Sequence, residues 1–372
     1  MKNGTSVQTA IRETETSAMT IKKVSVSRVD QVDLENPGFG KVFSDHMFSL
    51  DYQGGQWQSP QIIPFGKIEI LPSLATLHYG QALFEGMKAF NDSNGGVNIF
   101  RPDQHQERIN KSCRRMCIPE IDGDTFMEAL EELIRLDHKW VPTKRGNALY
   151  IRPFVFATDE DLSVKASNTY RFLIITSPVG AYYKEGINPV SLITPDKYVR
   201  SVKGGTGNIK ATGNYGPTIL PARKAKEEGF TQVLWLDAKE HKYVEEVGTM
   251  NIFFKIGGRL ITPPLEGSIL GGITRDSVIH LAQDWGVAVE ERSISIDEVF
   301  EASENGTLEE AFGTGTAAVI SPVGRIQHNE KVLTTDEDTI GPFAKKLYDE
   351  ITGIQYGERP DRFDWLHHVT TD

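Results

Sequence analysis

The stretch Lys203-Gly-Gly-Thr-Gly-Asn-Ile-Lys210-Ala-Thr-Gly-Asn-Tyr215-Gly216 sets three glycines within four positions and places a lysine three residues beyond them. A Walker-type phosphate loop needs glycine immediately before its lysine and serine or threonine immediately after. Ile209 and Ala211 hold those positions, so that loop is excluded. The dinucleotide fingerprint fails as well, because Lys210 stands where the third glycine after Gly205-x-Gly207 belongs. Two readings stay open. One is a flexible surface loop with a solvated lysine. The other is a sheltered segment in which the Lys210 amine forms an imine. A free amine is mostly protonated at neutral pH, so the second reading demands a tightly shaped site. Glycines let backbone crowd a bound ring, and Tyr215 offers a phenol five residues on.

Outward from this stretch, strands and helices do not alternate regularly. Pro60 to Leu71, residues 97 to 101, Ala148 to Phe156 and Tyr170 to Ser177 read as strands. Helices are expected over Pro102 to Met116 and Asp124 to Leu136, the second with Phe126, Leu130, Leu133 and Ile134 on one stripe. Further on, Val190 to Thr194 and Gln232 to Leu236 read as strands, and Pro217 to Glu228 as a helix closed by Gly229. Met250 to Thr262 reads as a hairpin turning at Gly257-Gly258. One helix begins near Thr274 and the last at Pro342. This order argues against a Rossmann or TIM arrangement and for an α+β fold in two lobes. Residues 181–189 make the best interdomain linker, between a small α/β domain over 36–180 and a larger domain over 190–372. Residues 1–35 read as a loose Ser/Thr-rich arm.

A chain of 372 residues carries a soft prior of two to three domains and can bury a large core without disulfides or metals. The net charge of -11 lacks the basic surplus of a nucleic-acid binder. No run approaches the ~20 apolar residues of a membrane helix. Cys113 and Cys117 have no second pair, which indicates neither a zinc site nor a disulfide framework and suggests two buried helix residues. With no signal-peptide pattern in the first thirty residues, the cytoplasm is the default location.

Three further segments carry candidate chemistry. Glu245-Glu246 enters the apolar strand Ile252-Phe253-Phe254 through Val247-Gly-Thr249-Met-Asn251. Such carboxylates are ordinarily exposed, but an inward Glu246 could hold a ring nitrogen protonated. Gly271-Gly272-Ile273-Thr274-Arg275 leads into a helix, where backbone N–H groups and the helix dipole favour an anion. Thr274 could equally be a simple N-cap. Gly313-Thr-Gly-Thr316-Ala317 is a second Gly/Thr turn.

Taken together, these segments resemble the branched-chain amino acid aminotransferases, of the fold-type IV branch of pyridoxal-phosphate enzymes. Leu77-His-Tyr79-Gly-Gln-Ala-Leu-Phe84-Glu-Gly86-Met-Lys-Ala-Phe90 is similar to the family's small-domain signature. Leu149-Tyr150-Ile-Arg152-Pro153, Lys197-Tyr-Val-Arg200 and Ile354-Gln-Tyr-Gly357 also match, so the resemblance runs from about Asn36 to Trp365. It implies a two-domain, D-amino acid aminotransferase-like architecture with pyridoxal 5'-phosphate at the domain interface.

By this resemblance Lys210 forms the Schiff base and moves the proton, Tyr215 bonds the cofactor's phenolate oxygen, and Glu246 pairs with its ring nitrogen. Arg108, Ile273, Thr274 and Thr316 would hold the phosphate. Phe84, Tyr79 and Tyr150 would wall the substrate pocket, with Gly86 leaving space beside them. Arg152 would receive the distal carboxylate of glutamate or 2-oxoglutarate, and Thr249 and Ala317 the α-carboxylate. The implied reaction is a ping-pong transfer of the amino group of L-leucine, L-isoleucine or L-valine to 2-oxoglutarate, giving the branched 2-oxo acid and L-glutamate. A homodimer is implied, with no metal, nucleic acid or membrane. Some animal members carry a Cys-x-x-Cys redox pair after the Gly-Thr-Ala turn; Ala318 and Ser321 stand there here, so no thiol switch is expected. D-amino acid aminotransferase and aminodeoxychorismate lyase are the rival fold-type IV readings, and a non-enzymatic metabolite-binding protein is a third.

Overall fold

A computed structural model of the chain describes residues 12–16, 19–180 and 188–371. The chain divides into two compact units, Met1–Gly180 with Trp365–Asp372, and Ala181–Asp364. Most of the expected linker, 181–187, lies outside the described residues.

The first unit holds strands β1 (Arg12–Thr16), β2 (Met19–Lys23), β3 (His46–Gln53), β4 (Gln56–Pro64), β5 (Ala82–Phe84), β6 (Met87–Asn91), β7 (Val97–Phe100), β8 (Ala148–Ala157) and β9 (Tyr170–Val179), with helices α1 (Ala75–Tyr79), α2 (Pro102–Arg115) and α3 (Gly123–Leu136). The sheet runs β1-β2-β4-β3-β9-β8-β6-β7 and ends on the C-terminal strand Leu366–Val369, while β5 pairs with β8. Helix α3 buries the expected stripe, Phe126, Leu130, Leu133 and Ile134, against the sheet residues Phe48 and Phe172. Its start is fixed by Asp122, whose side chain accepts from the Thr125 N–H, the ordinary N-cap device.

Three expectations are corrected in this unit. Residues 1–35 are not wholly a loose arm: β2 pairs parallel with β4, because the alternation Met19-Thr-Ile21 puts two apolar side chains on the core face, where both are buried. The strand expected over 60–71 starts at Gln56 and ends at Pro64, and Ile68, Ile70 and Leu71 are exposed. The last eight residues belong to the first unit, not to the second: Leu366–Val369 pairs antiparallel with β7, and Trp365 takes the Arg101 guanidinium over its ring at 5.2 Å.

The second unit holds β10 (Val190–Ile193), β11 (Gln232–Leu236), β12 (Val244–Val247), β13 (Met250–Ile256), β14 (Arg259–Thr262), β15 (Val289–Glu291), β16 (Leu308–Gly315), β17 (Val319–His328) and β18 (Lys331–Thr334), with helices α4 (Ile219–Glu227), α5 (Ile273–Asp284), α6 (Ile296–Glu304) and α7 (Pro342–Gln355). The sheet order is β12-β11-β10-β17-β16-β13-β14-β15, and β12 also pairs with β13, which closes β12, β11, β10, β17, β16 and β13 into a ring. Closure leaves the six ring strands without an open end to their ladder, while β14 and β15 extend from β13 outside it. The core inside includes Leu192, Leu234, Val247, Ile252 and Ile326. The expected turn between β13 and β14 has both Gly257 and Gly258 at positive φ, as a tight hairpin requires. Helix α4 begins only at Ile219, because Gly216–Thr218 forms a 3-10 turn around Pro217.

Candidate active site

In the second unit, the glycine-rich segment between β10 and α4 is a folded turn. A Cβ at Gly207 would lie 1.9 Å from Ser201 Oγ and 2.2 Å from the Ser268 carbonyl oxygen, so only glycine fits there. Asn214 knits the turn: its Nδ2 donates to the carbonyls of Thr206 at 2.8 Å and Ile209 at 2.9 Å. Lys210 is half-buried between the buried Ile209 and Ala211. Its Nζ donates to Tyr215 Oη at 3.1 Å and stands 5.6 Å from the Tyr215 ring centroid. The solvated-lysine reading falls, and the lysine and the phenol expected beside it are brought together.

Strand β12 carries Glu245 and Glu246, which alternate to opposite faces, and both are buried. Glu246 therefore points into the protein, as the inward reading requires. It lies across the ladder from Asn251 and Trp235. Asn251 Nδ2 donates to its Oε1 at 3.3 Å, and the Leu270 N–H at 3.2 Å. Arg200 Nε is in ion-pair contact with its other oxygen, although the N–H is not aimed along that contact. Burial pushes the Glu246 carboxyl up to about 7, against the pull of Arg200, the Leu270 N–H and Lys210. Burial raises Glu245 too; its Oε1 accepts from Ser268 Oγ, and its Oε2 is buried without a partner among the described residues.

Helix α5 starts on Gly272 with no side-chain cap. Thr274 is thus a first-turn residue, not the N-cap. A Cβ at Gly272 would fall 2.0 Å from Asn251 Oδ1, so glycine lets the helix start lie against β13. Asn251 Nδ2 also donates to the Leu270 carbonyl at 2.8 Å, which ties this turn to Glu246. Thr316 and Ala317 form the turn between β16 and β17, and Thr249 follows Gly248 (φ +57°) in the tight turn between β12 and β13. The two turns are neighbours: Asn251 opposes Thr314 in the ladder, and a Cβ at Gly315 would lie 3.1 Å from Met250 Cγ. Val319, a β-branched residue at φ +63°, closes the second turn in a conformation such residues rarely adopt.

In the first unit, β8 alternates. Leu149, Ile151 and Val155 enter the core, while Tyr150, Arg152 and Phe154 stand half-buried on the other face. Arg152 Nη2 donates to Tyr150 Oη at 2.9 Å, and its guanidinium carbon lies 4.4 Å from the Phe84 ring centroid and 5.2 Å from that of Tyr150. The Arg152 Nε is buried and has no partner among the described residues. Gly86 does not leave open space here: the Tyr150 hydroxyl fills it. Tyr79 ends α1 at the surface, 43% exposed, with its hydroxyl donating to the Leu162 carbonyl. Gly80 in the left-handed conformation stops the helix there.

Arg108 makes a bidentate pair with Glu85, Nε to Oε1 and Nη2 to Oε2, both at 2.7 Å. His105 Nδ1 lies 2.7 Å from the same carboxylate. Glu85 is wholly buried; burial alone would raise it, but the Arg108 charge and His105 hold its carboxyl well below the ordinary range. Sequence reading alone does not single out Glu85, His105, Arg200, Asn251 or Ser268. A signal for the first two exists: His105 and Arg108 are three apart on one helix face, and Glu85 is the lone carboxylate of a hydrophobic stretch. Lys88, opposite Tyr150 in the ladder, is missed as well; burial pushes its ammonium down to about 8.

The second unit's residues fit pyridoxal phosphate. They supply a half-buried amine beside a phenol, a buried inward carboxyl, and an uncapped helix start next to a Gly/Thr turn. Among the described residues no cluster is arranged to hold a metal ion, and no helix is long and apolar enough to cross a membrane.

Comparison with known proteins adds four findings. Residues 82–326 match the model of the amino-transferase class IV family. The chain is 53% identical over 332 residues to branched-chain-amino-acid aminotransferase 2 of Bacillus subtilis, covering 89% of this chain and 92% of that one. It also resembles the crystal structure of the Escherichia coli branched-chain amino acid aminotransferase, with a TM-score of 0.73 at 27% identity, over 88% of this chain and 99% of that one. A further relative, the T.th. branched-chain amino acid aminotransferase with pyridoxamine 5'-phosphate, superposes with a TM-score of 0.71 at 28% identity, over 86% of this chain and 98% of that one.

Proposed function

The chain belongs to the class IV aminotransferases, and from that premise we propose how its residues carry out the transfer of an amino group. It is a pyridoxal-phosphate-dependent branched-chain amino acid aminotransferase, acting on L-leucine, L-isoleucine or L-valine with 2-oxoglutarate as acceptor. The rival fold-type IV reactions are not favoured at about 50% identity over most of the chain.

The observation that carries the assignment of residues is the set Lys210, Tyr215 and Glu246, assembled in one unit. Bound pyridoxal phosphate supplies an electron sink that spreads the charge left on the substrate's Cα. Lys210 would hold the cofactor through Nζ, and that same nitrogen would take up the substrate's Cα proton. Tyr215 Oη, 3.1 Å away, orients the amine and shares its proton. Glu246, ionised, keeps the ring nitrogen protonated. Arg108 is assigned to the phosphate dianion with the first turn of α5, at Ile273 and Thr274, and the Thr316 hydroxyl. A guanidinium and a helix N-terminus both favour that charge.

Phe84 and Tyr150 shape the substrate pocket, and Thr249 and Ala317 offer the two adjacent turns for the α-carboxylate. Arg152 resolves the demand that one pocket accept both leucine and a dicarboxylate. With an apolar substrate its cation rests on the Phe84 and Tyr150 rings and the Tyr150 hydroxyl. With glutamate, the spare Nε donor is available to the distal carboxylate. Tyr79 belongs with Ile68, Ile70, Leu71 and Leu77, an exposed apolar set that a second copy of the chain would cover in a homodimer. We place the enzyme in the cytoplasm.

An absorption spectrum of the purified holoenzyme, taken before and after adding L-leucine without an oxo acid, tests this reading. A visible band that bleaches with L-leucine is expected, and Lys210→Ala should abolish both the band shift and turnover. A band indifferent to L-leucine but responsive to D-alanine would overturn the substrate assignment.

A further inference from the structure

Arg200 has no part in the roles above. Its side chain is only 8% exposed, which is costly for a cation unless it is fully engaged. Its Nη2 donates to the carbonyls of Gly207, at 3.2 Å, and of Ser268. Its Nε is in ion-pair contact with Glu246. The Ser268 carbonyl is also the group that forbids a side chain at Gly207. Guanidinium, Lys210-bearing turn and Glu246 are therefore packed into one another.

The charges around Glu246 come from few sources. Lys210 and Arg200 favour its ionised form, and Glu245 opposes it. Glu245 itself feels Arg200, Asp237 and Lys203. A carboxyl this deeply buried, without a cation, takes up a proton instead of staying charged. A neutral glutamic acid cannot hold the proton on a ring nitrogen. Lys210 cannot serve as the standing cation, because its amine is committed to the reaction. Arginine keeps its charge at any working pH.

We propose that Arg200 is a positioning residue of the transamination, an ion-pair partner that keeps Glu246 ionised and fixed so that Glu246 can hold the ring nitrogen's proton. The inference rests on the assignment of Glu246 to that nitrogen.

The test uses holoenzyme reconstituted with pyridoxal phosphate labelled with 15N in the ring, whose chemical shift reports protonation directly, together with kcat and KM for L-leucine from pH 5.5 to 9.5 (a range wide enough to show the acid limb). Arg200→Gln keeps an amide donor for the Gly207 and Ser268 carbonyls and removes the charge. It should leave the ring nitrogen unprotonated at pH 7 and move the acid limb of kcat upward by about one pH unit or more. The corresponding fall in kcat near neutrality is on the order of tenfold, with KM little changed. Arg200→Lys should restore the protonated ring and the wild-type limb. A folded Arg200→Gln enzyme with a protonated ring and an unmoved limb would overturn the proposal. So would a folded Arg200→Lys enzyme that has lost ring protonation, which keeps the test decisive if the Gln variant does not fold. Glu246→Gln separates the two layers: its ring nitrogen should be unprotonated whatever stands at position 200, and a protonated ring there would remove the Glu246 assignment itself.

Discussion

The hydroxyl of Tyr150 stands where the first side-chain carbon of any residue but glycine at position 86 would have to go, 2.0 Å from that point. The ring cannot step aside cheaply. Arg152 holds its hydroxyl at 2.9 Å, and Phe39 meets its face edge-on at 5.4 Å between centroids. Gly86 follows Glu85 in the break between β5 and β6, so its backbone is pinned to β8 on both sides.

Gly86→Ala should therefore displace Tyr150 and with it Arg152. Overpacking of this kind costs about 1–3 kcal/mol, and misplacing groups near a reacting centre by about 1 Å can cost on the order of 100-fold in rate. We expect a folded enzyme with a lowered Tm and kcat/KM for L-leucine reduced by that order. A variant within twofold of wild type would mean that the ring moves freely and does not shape the pocket.

Glu85→Gln addresses the other end of the same break. The carboxylate receives Arg108 through two bonds and His105 through a third. Removing one partner of a buried charge pair costs about 3 kcal/mol, and a freed Arg108 would lose its fixed direction. Weaker retention of pyridoxal phosphate on dialysis is expected, by about tenfold. There is a pH signature as well. The folded-state pKa lies below the unfolded value, so the fold favours the ionised form. That contribution is fully present above pH ~4.5 and is lost as the pH falls toward the folded value. Wild type should lose stability across that acid window more steeply than Glu85→Gln in denaturant titrations at pH 3 to 6. Parallel curves would deny Glu85 this role.

Much of this arrangement is legible in the sequence where one local rule decides the outcome. Helix α3 follows from its 3.6-residue stripe, and the β13–β14 hairpin from two adjacent glycines. Lys210 and Tyr215 are close enough in sequence for one turn to bring them together. What cannot be read are relationships made by distant partners. Asp122 caps its own helix, but the environment of Glu246 depends on Arg200, 46 positions earlier, and on Leu270. The pairing of Leu366–Val369 with β7 closes a contact across most of the chain, which no local period signals. Tyr150 filling the place beside Gly86 reverses the expected role of that glycine. A motif states that a glycine is needed, and only the packing states what is pressed against it.

The two cysteines give the last prediction, because the structure separates residues that look alike in the sequence. Cys113 is wholly buried in α2, and burial pushes its thiol up to about 12. Cys117 is exposed and lies beyond the helix end, in the left-handed conformation at φ +53°. The Ile118 N–H reaches back to the Cys113 carbonyl at 2.9 Å, the bond that ends a helix with a residue of that conformation. Only the thiolate is nucleophilic, and reaction also needs access. A disulfide-exchange reagent should therefore titrate one thiol per native chain and two in denaturant. Cys117→Ser should abolish the native reaction, and wild-type activity should be unchanged by the reagent. Two fast native thiols would show that α2 opens readily, and activity lost on modification of Cys117 would reveal a redox sensitivity carried by that residue.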